Sequence, residues 1–340
     1  MNEFSEALLA WYRQYHRRLP WRENPDPYWI YLSEVMLQQT RMESALPYFE
    51  NFIRELPTLE DLASVDEERL MKLWEGLGYY SRARNLKKGA NYIVTEFGGC
   101  LPEEPKELQK IPGIGPYSAG AIASTLYQKP VCAIDGNVLR VFSRLYRLEH
   151  SLPGAALTKA VREKVLALLP HESPGDFNQA LMELGALICK PNSPDCPSCP
   201  VRSFCLSADA QDVSDFPRRK KKTPPKEEQH TVIMLEKDGE FAVEKKSTGL
   251  LRGLYRFPMT VGHLNSSELQ DLLEGKGFAI KEIHFIGESS HAFSHRIWRM
   301  VLFHVLLEEK SHFYEWFEKK RLAELPIASA FRAVKQWLGL

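Results

Sequence analysis

The sequence has no surplus of either charge. Its 44 lysines and arginines equal its 44 aspartates and glutamates. That excludes a polycation that coats nucleic acid by bulk charge, but leaves room for a local basic groove. No apolar run approaches the ~20 residues that a membrane-spanning helix needs. The first residues, Met1-Asn2-Glu3-Phe4-Ser5-Glu6, are acidic where a secretory leader is basic and then apolar. Export is therefore not expected, and the cytoplasm is the expected location. There is no internal repeat and no low-complexity tract. Hydrophobic residues make up 44% and charged residues 26%, so wholesale disorder is excluded. A length of 340 residues suits about two domains.

Up to residue 206, β-branched alternation is also scarce. Apolar residues recur at three- and four-residue spacing instead, as in Phe4, Leu8, Trp11 and Tyr12 or Leu70, Leu73 and Trp74. This region reads as all-α. Residues 207–229 change character: an acidic stretch, the basic run Arg218-Arg-Lys-Lys-Lys222, then Thr223-Pro-Pro. They read as a linker, either a solvated connector or a segment that touches phosphate or serves as a targeting signal. From 230 to 340 the pattern is α+β. Thr231–Lys237 and Glu240–Lys245 flank Asp238-Gly239, a strong hairpin signal. Trp298–Leu307 reads as a buried strand, and helices are expected after Ser267, Phe313 and Ser329.

Cysteine is sparse, and its placement is informative. Of six cysteines, Cys189, Cys196, Cys199 and Cys205 share one proline-rich loop with spacing C-x6-C-x2-C-x5-C. Such a group in a reducing compartment points to metal. Four thiolates can hold a [4Fe–4S] cluster or a tetrahedral zinc. A single C-x2-C pair favours the cluster over a zinc ribbon. Its role can be redox chemistry or the stapling of a loop.

Gly113 and Gly115 in Ile111-Pro-Gly-Ile-Gly115 precede a run of small residues. They read as a tight turn or as a helix-hairpin-helix element whose free N–H groups meet one DNA phosphate. Asp26-Pro27 can start a helix running to Gln39, in which Glu34 shares a stripe with Ile30, Tyr31 and Leu37. A glutamate there is either a core residue satisfied by an arginine or a general acid with a raised pKa. Asp135, before Gly136-Asn137, is either the N-cap of the next helix or a second catalytic carboxylate, since Asn137 could equally be the cap. Paired carboxylates are the arrangement used in glycosidic cleavage.

These motifs converge. Leu19-Pro-Trp-Arg22, Ser33–Thr40, Trp74–Arg84, Ile111–Gly115, Ile134–Val138, Phe177-Asn-Gln-Ala-Leu-Met and the four cysteines occur in one order. In that order the chain resembles the adenine DNA glycosylases of the helix-hairpin-helix superfamily over nearly its full length. The resemblance implies a mainly α fold: a helix-hairpin-helix core with an iron–sulfur loop over 1–206, joined through the linker to a Nudix-like domain at 230–340. It implies that Glu34 protonates adenine and handles the attacking water, that Asp135 supports the sugar cation, and that Asn137 lies beside them. Tyr117 stands where bifunctional relatives carry a Schiff-base lysine, so a monofunctional enzyme is expected.

The adenine pocket would comprise Trp21, Arg22, Leu37, Met42 and Gln179. Gln39 and Tyr79 would push into the duplex, with Thr40, Leu77, Gly113 and Gly115 also at the DNA. Tyr79 and Tyr80 can alternatively be helix-packing residues. Arg22, Arg82, Arg84, Lys110, Arg140 and Arg202 are candidate phosphate donors. Phe293, Ser294 and His295, in His291–Arg296, would reach an 8-oxoguanine. No glutamate-rich Nudix helix is present, so the last domain reads as a recognition module. The expected cofactor is a [4Fe–4S] cluster, and the expected partner is duplex DNA with adenine opposite 8-oxoguanine or guanine, bound by a monomer. Two other readings remain: a bifunctional pyrimidine-lesion glycosylase and lyase, and a non-catalytic iron–sulfur DNA-binding protein.

Overall fold

The computed structural model describes residues 2–208, 210–219 and 224–340. Contacts divide the chain into two units, Met1–Ser64 with Arg84–Lys221 and Val65–Ala83 with Lys222–Leu340. Lys220–Lys222 of the basic run, together with Asp209 and Thr223, lie outside the described residues.

The first unit is helical because its apolar residues fall on helical stripes. Helices Glu3–Tyr15, Gly136–Leu145, Ala155–Leu168 and Pro174–Leu187 bury Leu8, Phe142, Val161 and Leu181 in one core. Phe4 meets Phe142 and Phe177 edge-on, with ring centroids 6.4 Å apart in each pair. Helix Pro27–Met36 packs against Met42–Glu55 and Pro116–Tyr127. The all-α expectation has one exception: Ser151–Leu152 pairs in parallel with Arg218–Arg219.

The second unit holds a seven-stranded mixed sheet. Its middle strands, Lys226–Lys237 and Arg296–Leu307, run parallel. Strand Ile280–Ala292 pairs antiparallel with Arg296–Leu307 at one edge. The expected linker ends earlier than 229, because Lys226–Gln229 already pair with Arg296–Arg299. Asp238 and Gly239 turn the hairpin with φ of 52° and 80°, the left-handed pair that a two-residue turn favours. Phe313 is followed first by strand Glu315–Glu318 and only then by helix Lys319–Glu324.

Val65–Ala83, which the sequence pattern joined to the helical region, makes its contacts with C-terminal residues. Glu68 pairs with Arg321 at 2.7 Å and Glu75 with Lys335 at 2.7 Å. Lys72 donates to the Leu325 carbonyl at 3.2 Å.

Candidate active site

Asp26 caps helix Pro27–Met36, its carboxylate accepting from the Trp29 N–H at 3.1 Å. Every residue from Ile30 to Met36 is buried, so this is a core helix and not a surface one. It stops at Met36, three residues before the expected end. Gln39 turns left-handed with φ 59°. Glu34 therefore sits inside apolar packing with 7% exposure. Its Oε2 has no hydrogen-bond partner among the described residues. Burial, and then the negative charge of Asp135, push its pKa from 4.5 up to about 8. A side-chain hydrogen bond with Tyr117 and the positive charge of Arg22 act the other way.

Asp135 is the N-cap of helix Gly136–Leu145. Its Oδ1 accepts from the Val138 N–H at 2.8 Å and its Oδ2 from Asn137 Nδ2 at 2.7 Å. The alternative cap, Asn137, is thus excluded, and Asn137 is instead a donor to Asp135. Arg140 fixes Asn137 by donating to its Oδ1 at 2.8 Å, while also bonding the Gly185 and Cys189 carbonyls at 2.8 Å each. Burial raises the Asp135 pKa, and the Val138 and Asn137 hydrogen bonds oppose it. Capping and catalysis are not alternatives here. The same carboxylate can cap its helix and face the Glu34 side of the site.

Two packing features place Asp135. Asn178 is fully buried. It donates to the Val131 carbonyl at 2.8 Å and to Ser124 Oγ at 2.9 Å, and accepts from the Ala133 N–H at 3.0 Å. It thereby pins the segment leading into Asp135. Gly185 lets helix Pro174–Leu187 approach closely, since a Cβ there would lie 2.5 Å from Asn137 Cβ.

Tyr117 is the second residue of helix Pro116–Tyr127. Its hydroxyl donates to Met182 Sδ at 3.2 Å. Burial and the two carboxylates push its pKa well above normal, so it is a neutral phenol. Gly113 takes φ 89° in the preceding hairpin, and Gln38 Nε2 donates to its carbonyl at 3.1 Å. No neighbouring atom lies within 4 Å of a Cβ built at Gly115, which leaves its backbone open to a ligand.

Of the pocket candidates, Arg22 and Gln179 come together at 2.8 Å. Both lie next to a residue that the sequence reading missed. Glu183 is fully buried and accepts from Arg22 Nη1 and, at 3.0 Å, from Arg17 Nε. Its position one turn after Gln179 was a readable signal. Trp21 is a core residue packed edge-on against Phe49 at 4.6 Å. Leu37 is the C-cap of the Glu34 helix, and Met42 begins helix Met42–Glu55. Both are half-buried. Several candidate phosphate donors are engaged internally. Arg82 and Arg140 are buried, Arg22 is held by Glu183, and exposed Lys110 pairs with Glu107 at 2.7 Å.

In the second unit, Leu77 is buried but Tyr79 is 46% exposed with φ 48°. A bulky residue held left-handed is strained, a state that persists only where the surroundings impose it. The Tyr79 hydroxyl meets Ser294 Oγ at 2.8 Å. Ser294 and His295 are exposed at the turn between Ile280–Ala292 and Arg296–Leu307. Phe293 is wedged between His291 and Trp298, with centroids at 4.6 and 4.8 Å. Thr40 is half-buried and Gln39 exposed.

Cys189, Cys196, Cys199 and Cys205 are free thiols and line one small cavity with Arg144 and Arg202. Burial raises the Cys199 pKa to about 11, and the other three cysteines add to the shift. Among the described residues, no three His, Cys, Asp or Glu side chains group closely enough for a single metal ion. Four thiols around a cavity fit a cluster with several metal atoms, because its positive core would reverse that cost of ionising them. Arg144 Nη1 donates toward Cys189 Sγ at 3.4 Å, the kind of hydrogen bond that a ligand thiolate accepts.

Residues 32–169 match the model of the HhH-GPD superfamily of base excision DNA repair proteins. Residues 230–337 match a NUDIX domain model. The adenine DNA glycosylase of Mus musculus is 35% identical over 87% of this chain and 69% of its own length. That of Homo sapiens is 34% identical over 87% and 65%. That of Buchnera aphidicola from Acyrthosiphon pisum is 31% identical over 93% and 90%. A solved thermostable thymine-DNA glycosylase is 27% identical, with a TM-score of 0.54 over 60% of this chain and 94% of that one. Endonuclease III in a DNA complex, 24% identical over 60% and 92%, shares the fold with a TM-score of 0.52. Helical core, hairpin and matches together define a helix-hairpin-helix base-excision glycosylase carrying a Nudix-like unit. Within that class, the chain belongs to the adenine DNA glycosylases. No helix among the described residues is long and apolar enough to cross a membrane.

Proposed function

We propose that this protein hydrolyses the N-glycosidic bond of adenine mispaired with 8-oxoguanine or guanine in duplex DNA, leaving an abasic site. The observation that carries this reading is Glu34, a buried carboxyl with an unpartnered oxygen and a pKa pushed to about 8 beside Asp135. It holds its proton at neutral pH, and no group among the described residues hydrogen-bonds that oxygen.

The bond is hidden in the stacked duplex, so adenine must first be extruded. Glu34 then gives its proton to adenine N7. The C1′–N9 bond breaks with its electron pair leaving on the base. Asp135, whose ionised form the helix N-terminus and Asn137 favour against the cost of burial, stabilises the sugar cation. Water adds at C1′ and returns a proton to the Glu34 carboxylate. Arg22 and Gln179 would orient the base, with Glu183 fixing Arg22. Tyr117 has no amine, so no Schiff base and no strand cleavage follow. Cys189, Cys196, Cys199 and Cys205 would hold a [4Fe–4S] cluster that shapes a DNA-binding loop. Phe293, Ser294 and His295, with Gln39 and Tyr79, would read the opposite base. The protein would act as a monomer on DNA in the cytoplasm.

The test is single-turnover cleavage of duplexes with adenine opposite guanine, 8-oxoguanine, cytosine and thymine, with and without alkaline workup. Release of adenine opposite the first two, with breaks only after alkali, is expected. A robust borohydride-trapped adduct would overturn the monofunctional reading, and full activity in Glu34→Gln would overturn the acid assignment.

A further inference from the structure

A second polar cavity, of about 320 Å3, lies within the C-terminal unit. Ser289, Ser290, His291, Ser329, Arg332 and Gln336 supply its polar side chains, and no aspartate or glutamate lines it. Ser289 and His291 share one face of an edge strand by its two-residue repeat. Arg332 is exposed and has no carboxylate within ion-pair distance among the described residues. Four other arginines of this unit differ: Arg256, Arg296, Arg299 and Arg321 each pair with a glutamate. Glu75, beside Gly76 on the cavity wall, is already held by Lys72 and Lys335, each at 2.7 Å. The cavity is therefore a cluster of donors with one uncompensated cation. The Arg332 charge reaches His291, whose pKa is lowered by burial and then by that arginine.

We propose that this cavity binds a backbone phosphate of the DNA strand that carries the opposite base. Hydroxyls, an amide and one guanidinium match a phosphodiester, a singly charged group with several acceptor oxygens. The placement follows from His291, which lines the cavity and begins the 291–296 segment. The inference rests on the reading that this segment faces the opposite base. The contact carries no sequence information, and it sets the register of the Phe293-Ser294-His295 turn on the duplex.

The experiment measures affinity of the full chain for a duplex with an uncleavable adenine analogue opposite 8-oxoguanine, across a salt series. Arg332→Ala should weaken binding about ten-fold and make the log–log salt slope shallower by about one. Gln336→Glu, which adds a carboxylate to the cavity, should weaken binding most at low salt. Arg332→Lys should keep the slope. Arg332 and Gln336 are exposed, so melting temperatures should not change. Wild-type affinity and slope in both Arg332→Ala and Gln336→Glu would overturn the proposal. So would inorganic phosphate raising the wild-type but not the Arg332→Ala melting temperature while DNA binding is unaltered, since the cavity would then hold a free phosphate. Ser294→Ala separates the two readings. If it leaves discrimination between 8-oxoguanine and guanine intact while Arg332→Ala flattens the slope, the opposite-base reading fails and the phosphate site stands.

Discussion

Glu34 concentrates two opposing demands in one side chain. The proposed chemistry needs its proton; stability is better served without the carboxyl. Its folded pKa, about 8 against 4.5, means that the native state holds this proton across a window in which the unfolded chain has lost it. Its contribution is therefore most favourable below pH 4.5 and declines as pH rises through about 8, by at most about 1.4 kcal/mol per pH unit. Glu34→Gln should abolish adenine release yet raise the melting temperature, with a gain that grows from pH 4.5 to about 8 and is then level. Thermal melts across pH check this, and a gain independent of pH would contradict it. The rate should fall above pH about 8 as Glu34 ionises, and also at acid pH as Asp135, raised by burial, takes up a proton. Asp135→Asn keeps a competent cap, so it should cost about 1 kcal/mol or less while lowering single-turnover rate by about a hundred-fold or more. Equal losses of rate and stability would point to a purely structural aspartate.

At the scale of elements, the site depends on helix spacing more than on loops. Helix Pro174–Leu187 presses Gly185 against Asn137 and sends Asn178 into the segment before Asp135. Gly185→Ala should displace Asn137, costing about 1–3 kcal/mol through overpacking and slowing the chemical step while DNA affinity changes little. Unfolding by denaturant and single-turnover rates at saturating protein check the two parts. The sequence pattern could single out Gly113, Asp135 and Glu34 as candidates because each carries a local signal: a glycine pair, an aspartate before Gly136-Asn137 at the start of a helix, a charge in an apolar stripe. It could not identify Gly185, because a glycine inside a helix acquires its meaning only from the partner helix, here through the close approach to Asn137. The early end of the Glu34 helix was hidden for a related reason. Gln39 takes φ 59°, a left-handed value for which a glutamine has no local propensity, so nothing in the sequence announces it.

For the molecule as a whole, zero net charge means that DNA affinity must come from a few placed cations. Burial of Arg82 and Arg140 and the engagement of Arg22 shorten that list further. A modest salt slope is expected, and a slope of ten or more would contradict it. Cysteine supplies a second whole-molecule test. Protein purified without oxygen should carry about four irons and four sulfides, and Cys199→Ala should lose them together with DNA binding. Metal analysis showing one zinc would overturn the cluster.

The sequence by itself determined the class of chemistry: which residues are acids, which position lacks a lysine, where four thiols share a loop, and where helical spacing gives way to strands. These are covalent identities and short-range periods, and they are written in order along the chain. Only the tertiary structure decided that Val65–Ala83 packs with the C-terminal residues, that Asp135 and not Asn137 is the cap, and that Arg332 has no carboxylate partner among the described residues. Each depends on which distant groups become neighbours, and charge, burial and close approach act through space with no period that a linear pattern records.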